Sequence, residues 1–251
     1  NRRRRRGNFG FLYKLLSVFL ICGCLVAAIT LFFRVDTVVI TGEKRYTEAE
    51  IRQASGVEDG DNLFLLNKYQ VIRDIAEALP YIEIENTRIQ RKLPDTLLIQ
   101  VQECGDPLAW TQDGTVWLMS PAGKIVEQTD TAAGHPTVDG CELLSPSVGT
   151  QIAVDMAYET RRESLLELLA VLDETGELAK VDAIHLGEAS YISMDYMDRF
   201  TVKMPYQADF SYKLRVLELA INSDKIQDNM TGTFDMRQED GQVIFDQDTR
   251  E

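Results

Sequence analysis

Two histidines, four cysteines and 40 acidic side chains are the groups of this 251-residue chain from which side-chain chemistry could be built. His135 precedes Pro136 in a loop pattern, and His185 sits between Ile184 and Leu186 in a strand pattern. Two histidines cannot make a multi-histidine metal site. Cys22 and Cys24 lie in an apolar run and read as small apolar residues there, whereas Cys104 and Cys141 stand 37 apart without a C-x-x-C motif. The chain has no G-x-S-x-G, S-x-x-K, H-E-x-x-H or Walker loop. Two carboxylates across a cleft would hydrolyse a glycan, but no pair stands out among acids spread over solvent faces. Asn229-Met230-Thr231 fits a glycosylation sequon, which matters only in a pathway able to use it. The expectation is no catalytic, cofactor-binding or metal-ligating residue, and no enzyme.

What the sequence does offer is backbone chemistry. Two strand patterns, Thr231–Met236 and Gln242–Phe245, come last, separated by Glu239-Asp240-Gly241. If either closes a sheet, its outer N–H and C=O groups are open to a partner strand. Phe234, Met236, Val243 and Phe245 place apolar groups beside that backbone; the alternative is that they complete the core. A proline at Phe234 would remove one ladder donor, and would weaken such a contact if that N–H faces the partner.

These residues need elements to position them, and charge divides the chain first. Residues 1–34 hold seven basic residues and no acid, so a chain of net −14 carries −21 beyond them. An acidic body excludes broad nucleic-acid binding and small basic footprints alone do not restore it. Arg2 to Arg6 precede Leu15–Phe33, 19 residues without a charge. As a helix this run reaches roughly 28 Å, close to the hydrocarbon thickness of a bilayer. Val26-Ala27-Ala28 resembles a signal cleavage site, yet Ile29 to Phe33 continue the apolar run past it. The reading is an uncleaved anchor, with 1–14 a basic cytoplasmic tail and the C-terminal part outside the cytoplasm.

Beyond the anchor, 35–103 reads as strand, helix, helix, strand, strand. Val35–Thr41 is β-branched, Thr47-Glu48-Ala49-Glu50 forms a capping box, and Gly56 closes the first helix. Asn67 opens a second helix, with Ile72, Ile75, Ala76 and Leu79 on one face, ended by Pro80. Ile82 and Ile84 read as a half-buried strand with a bend near Asn86; Leu97, Ile99 and Val101 form the last strand. Residues 105–246 alternate short strands (Leu108–Thr111, Val116–Met119, Lys124–Glu127), a loop-rich stretch from Gly134 to Gly149, and a helix led by a second capping box, Thr160 to Glu163. Strands Val181–Leu186, Tyr191–Asp195 and Phe200–Met204 follow, then a helix from Asp209; 247–251 is a frayed tail. The fold class is α+β.

The order of these pieces resembles the FtsQ/DivIB family of bacterial cell-division proteins over about residues 10–251. Phe33-Arg34-Val35-Asp36-Thr37-Val38-Val39-Ile40-Thr41-Gly42 and Ile89-Gln90-Arg91-Lys92-Leu93-Pro94-Asp95-Thr96-Leu97 are similar to strands of a POTRA (polypeptide-transport-associated) domain. Gln102-Glu103, Pro107-Leu108-Ala109-Trp110 and Ser120-Pro121-Ala122-Gly123-Lys124-Ile125-Val126 resemble the passage into the family's β domain. Tyr212-Lys213-Leu214 and Gly232-Thr233-Phe234-Asp235-Met236-Arg237 look like its final helix and late strand. Leu93 departs from the aromatic residue many members carry before the proline.

The resemblance implies one transmembrane helix, a POTRA domain and a mixed α/β β domain with a mostly antiparallel sheet. It implies a non-enzymatic scaffold at the division septum that binds partners of the FtsB/DivIC and FtsL types and helps control septal peptidoglycan synthesis. It carries the partner-binding role onto the strand around Thr233 to Arg237, so Thr233, Phe234, Met236, Arg237, Val243 and Phe245 are the expected contact residues. No small-molecule substrate or nucleic acid enters this reading. One rival is a membrane-anchored wall hydrolase with paired carboxylates, which predicts muropeptide release. Another, a POTRA subunit of an outer-membrane transporter, is disfavoured because about 150 residues follow the POTRA domain rather than a long barrel.

Overall fold

The computed structural model describes residues 9–42, 44–238 and 242–248. Arg2 to Arg6, Glu239-Asp240-Gly241 and the last three residues of the polar tail lie outside them. Contacts divide the chain into two units, 1–103 and 104–251.

The first unit opens with helix α1, Phe9–Phe32, whose apolar side chains are exposed along its length. Among the described residues it is the one helix long and apolar enough to cross a membrane. Strand β1 (Thr37–Thr41), helices α2 (Glu48–Ser55) and α3 (Lys68–Ala78), and strands β2 (Arg88–Lys92) and β3 (Thr96–Gln100) follow. The sheet order is β1-β3-β2, with β1 parallel and β2 antiparallel to the central strand. The first capping box forms: Thr47 Oγ1 accepts from the Glu50 N–H while the Glu50 carboxylate accepts from the Thr47 N–H, at 2.8 Å. Those donated bonds hold the Glu50 carboxyl below its ordinary value. Gly56 is left-handed and Asn67 caps α3. Gly42, at φ 94°, lies so close to β3's continuation that a Cβ would meet the Val101 carbonyl oxygen at 2.1 Å. Ile51, Leu63, Ile75, Ile82 and Ile99 fill the space between sheet and helices.

The second expected strand starts later than its first apolar alternation. Ile82–Glu85 lies outside β2, with an isolated bridge from Ile82 to Glu103, and Ile84 is exposed although Ile82 is buried. The Thr87 hydroxyl donates to the Glu83 carbonyl at 2.6 Å and Asn86 Nδ2 to the Glu83 carboxylate at 3.0 Å, so local side-chain bonds turn the chain where a ladder would have run.

The second unit holds β4 (Leu108–Gln112), β5 (Thr115–Met119), β6 (Ile125–Thr129), β7 (Thr137–Asp139), α4 (Glu159–Thr175), β8 (Val181–His185), β9 (Tyr191–Tyr196), β10 (Phe200–Pro205), α5 (Phe210–Ile221), β11 (Gly232–Asp235) and β12 (Ile244–Gln247). These nine strands join one sheet in the order β12-β11-β10-β9-β8-β7-β4-β5-β6. It is mostly antiparallel; β4–β7, β7–β8 and β10–β11 are the parallel pairs. Leu165, Leu168, Leu169 and Leu172 of α4 and Phe210, Leu214 and Leu217 of α5 are buried in the core shared with this sheet.

Strand β7 falls in the stretch read as loop. Its three residues, bounded by Pro136 and Gly140, are too few for a periodic signal, yet they join the two halves of the sheet. The second capping box does not form. Asp155 caps a short 3₁₀ turn, Met156–Tyr158, that runs into α4, so the helix starts ahead of Thr160 and its cap residue Tyr158 makes no side-chain bond.

Candidate partner-binding edge

The late strands are built from a simple alternation. Phe234 and Met236 are buried and Thr233 and Asp235 lie half-buried on the opposite side of β11. Phe234 packs with Phe200 of β10 and Phe245 of β12, ring centroids 5.0 Å and 4.7 Å away, and Phe200 and Phe245 are 6.1 Å apart. Three aromatic rings on neighbouring strands thus hold the last strand to the core. Val243 and Phe245 pack against the same core, half-buried.

Close backbone approach is secured by Gly232. A Cβ there would meet the Asp246 carbonyl oxygen at 2.3 Å and the Gln247 Cα at 3.0 Å. The end of β11 is tied down from α5, where buried Lys213 donates through Nζ to the carbonyls of Met236 (2.8 Å) and Gln238 (2.7 Å). Arg237 forks onto Asp235, with Nε to Oδ1 at 2.9 Å and Nη2 to Oδ2 at 2.5 Å, and its guanidinium lies 5.0 Å from the Tyr191 ring centre. The Arg237 hydrogen bond holds the Asp235 carboxyl below its usual range despite some burial.

The register decides which groups are open. The Asp248 N–H donates to the Thr231 carbonyl at 3.0 Å, so the paired positions continue as Thr233–Asp246 and Asp235–Ile244. Antiparallel pairs alternate, so the backbone N–H and C=O of Phe245 and Gln247 point away from β11. Strand β12 has β11 as its single strand neighbour, and among the described residues nothing pairs with its outer side. On β11, Gly232 donates to the Arg199 carbonyl (3.2 Å) and Met236 to that of Lys203 (2.9 Å), so Phe234, on the same alternation, turns its N–H toward β10. A proline at 234 would therefore break the internal ladder, not a contact with an outside chain.

Of the six residues singled out in the sequence, Phe245 alone lends open backbone to the edge. Phe234 and Met236 serve the core, Thr233 bonds inward to β12, Val243 precedes the strand, and Arg237 is an exposed side chain beside Asp235. Ile244, half-exposed, and Gln247 belong to the edge and were not singled out, because the strand lies two residues later than its apolar pattern suggested. Lys213 and Gly232 stood in the sequence only as members of the family-like motifs Tyr212-Lys213-Leu214 and Gly232 to Arg237; the burial of one and the close backbone approach of the other carried no sequence signal.

Away from the edge, His185 has a defined setting. On the polar side of the sheet its Nδ1 lies 2.9 Å from Asp139 and its Nε2 3.2 Å from Asp195, which also accepts from the Thr201 hydroxyl at 2.9 Å. Burial alone would lower the imidazole, but the hydrogen bonds and charges of Asp195 and Asp139 outweigh it and raise it above its ordinary value.

Residues 33–103 match the family model of the FtsQ-type POTRA domain. The chain is 26% identical over 212 residues to the cell division protein FtsQ of Bradyrhizobium diazoefficiens, covering 84% of this chain and 56% of the relative. It is 25% identical over 187 residues to FtsQ of Caulobacter vibrioides, covering 66% and 57%. It is 25% identical over 160 residues to the cell division protein DivIB of Clostridium acetobutylicum, covering 62% and 61%. The chain thus spans little more than half the length of these relatives.

Proposed function

Because the chain belongs to the FtsQ/DivIB family, we propose that it works as a non-enzymatic, single-pass scaffold of bacterial cell division. Helix α1 anchors it in the cell membrane with the N-terminus in the cytoplasm, and both folded units stand outside, at the septum. Its partners are small bitopic division proteins of the FtsB/DivIC and FtsL types, and through them it helps control septal peptidoglycan synthesis. The names its relatives carry support the division role; the absence of any nucleophile–base motif in the sequence agrees with a role by contact.

The mechanism is strand addition at β12. The observation that carries it is the outward backbone of Phe245 and Gln247 on the last strand of a nine-stranded sheet. A partner strand laid there supplies the missing hydrogen bonds, and side chains at alternate positions choose the partner. Ile244 offers an apolar contact, whereas Asp246 and Gln247 leave the same edge polar. That mixture suits a complex that must not become a general aggregation edge.

The test is co-purification of the detergent-solubilised chain with and without residues 242–251. Removal takes β12 away and leaves β11 in place. The small bitopic partners come with the full chain and are lost with the shortened one. Their equal recovery by both would end the strand-addition reading.

A further inference from the structure

Helix α1 is joined to its folded domain more firmly than a flexible tether would be. Asn62 Nδ2 donates to the Ile29 carbonyl at 3.0 Å, and its Oδ1 accepts from the N–H groups of Phe64 (2.9 Å) and Leu65 (3.2 Å). Ile29 lies three residues before the end of α1, in its last turn. At about 1.5 Å per residue this carbonyl sits roughly 6 Å inside the end of the apolar run at Phe33. A second tie is the Leu63 N–H donating to the Phe33 carbonyl at 2.9 Å, and a third is the edge-on stack of Phe33 on Phe64 with centroids 5.0 Å apart. The loop Asn62–Leu66 is therefore held at the depth where the span ends.

That loop is apolar and uncovered. Leu65 is 77% exposed and Phe64 44%. The sheet brings a third group to the same end. Strand β3 runs parallel to β1 and β2 antiparallel, so the β2–β3 turn lies beside the start of β1, where the Asp36 N–H donates to the Asp95 carbonyl at 2.9 Å. Leu93 in that turn is 55% exposed. Exposed Arg34 and Lys92 stand at this end, and Arg91 donates to the Leu66 carbonyl at 2.7 Å. Of the acids there, Asp61 accepts from the Glu58 N–H and Asp95 from the Thr96 hydroxyl, while Asp36 is exposed beside Arg34.

Single exposed leucines need no explanation, but three large apolar groups at the exit of a spanning helix, flanked by cations, do. The surface continuous with them is the bilayer that α1 crosses. We propose that Phe64, Leu65 and Leu93 form a lipid-contacting wedge that enters the outer interface of the membrane, with Arg34 and Lys92 at the level of the phosphates. The wedge fixes the tilt of the first domain on the membrane. The inference rests on the anchoring role of α1 proposed above.

The experiment uses the full chain reconstituted in phosphatidylcholine–phosphatidylglycerol vesicles with or without acyl-brominated lipid, which quenches tryptophan emission on contact. Leu65→Trp and Leu93→Trp report on the wedge; Ile84→Trp, exposed at the opposite end of β2, is the control. Each is read against the unsubstituted chain and its two native tryptophans. The wedge predicts that brominated lipid removes at least half of the added emission at 65 and at 93 and leaves that at 84 unchanged. Protein that floats with the vesicles but shows no quenching at 65 and 93, or equal quenching at all three positions, overturns the wedge while keeping the anchor. Protein that does not float with the vesicles overturns both.

Discussion

Phe234 and Phe245 stand directly opposite each other across β11 and β12, rings 4.7 Å apart, at a position where the two backbones exchange no hydrogen bond. Such positions bring side chains closest and turn the backbone groups outward. On β11 the outward side is filled by β10. On β12 it is empty among the described residues. The ring pair that attaches the last strand therefore also aims its open N–H and C=O at whatever chain comes alongside.

The two phenylalanines should separate in their effects. Phe234 is buried, and its replacement by alanine should cost about 3–5 kcal/mol of global stability. Phe245 is half-buried, so Phe245→Ala should cost about 1–2 kcal/mol, felt mainly as local opening of β12. Hydrogen exchange resolved by residue checks this. In Phe245→Ala the Asp246 and Asp248 amides should exchange at least about tenfold faster, with β10 amides unchanged. Parallel acceleration in both strands would mean that β12 does not open as a separate edge.

Gly232 offers a way to disturb the edge without touching it. Gly232→Val places atoms where the Asp246 carbonyl now lies, so β12 must shift or detach. Capture of a partner by the solubilised chain should fall to the level seen without residues 242–251. Thermal unfolding of the rest of the sheet should change little, because β11 keeps its parallel bonds to β10. Retained capture would show that the partner docks elsewhere.

Much of this arrangement could be read from residue order. Thr47, Glu50 and Asn67 act locally, within a turn of themselves, so the first unit's helix starts were legible. The leucine stripe of α4 was equally plain, although its start was not: the Asp155-capped turn ahead of Thr160 competes with a motif that looked sufficient. Strand β7 was hidden because its three residues owe their extended form to β4 and β8 on either side, a non-local cause. The edge was half legible. Alternation marked two late strands but could not say that β12 lies outermost, or that pairing at Asp248 would leave Phe245 and Gln247 facing out. Those facts belong to register, which depends on the partner strand as much as on the sequence itself.

Lys213 supports the edge from below. Its ammonium is buried against two carbonyls at the end of β11, and Lys213→Met would keep the bulk while leaving both acceptors without that donor. A loss of about 1–3 kcal/mol is expected, or a melting temperature lower by roughly 3–9 °C for a domain of this size. Lys213→Arg should recover part of it. A melting curve unmoved by Lys213→Met would show that the two carbonyls find other donors at no cost.

The pH response should come from His185, where the sign can be worked through. Its folded value is raised by Asp195 and Asp139, so the protonated imidazole is favoured in the folded chain. A group raised on folding stabilises fully at pH values below its ordinary value of about 6.5, and that contribution fades as pH climbs through the folded value. The site is partly exposed, and solvent screening limits the gain to the range of surface ion pairs, about 0.2–1 kcal/mol. Against His185→Gln, which stays neutral throughout, the unsubstituted chain should melt about 1–3 °C higher near pH 5.5. The gap should narrow steadily as pH climbs through the raised folded value, above which both side chains are neutral and only neutral hydrogen bonds differ. Asp195→Asn should reduce the acid-side gap, since it removes one of the two charges facing the ring. A gap that widens with pH would reverse the sign and mean that Asp139 and Asp195 do not outweigh burial.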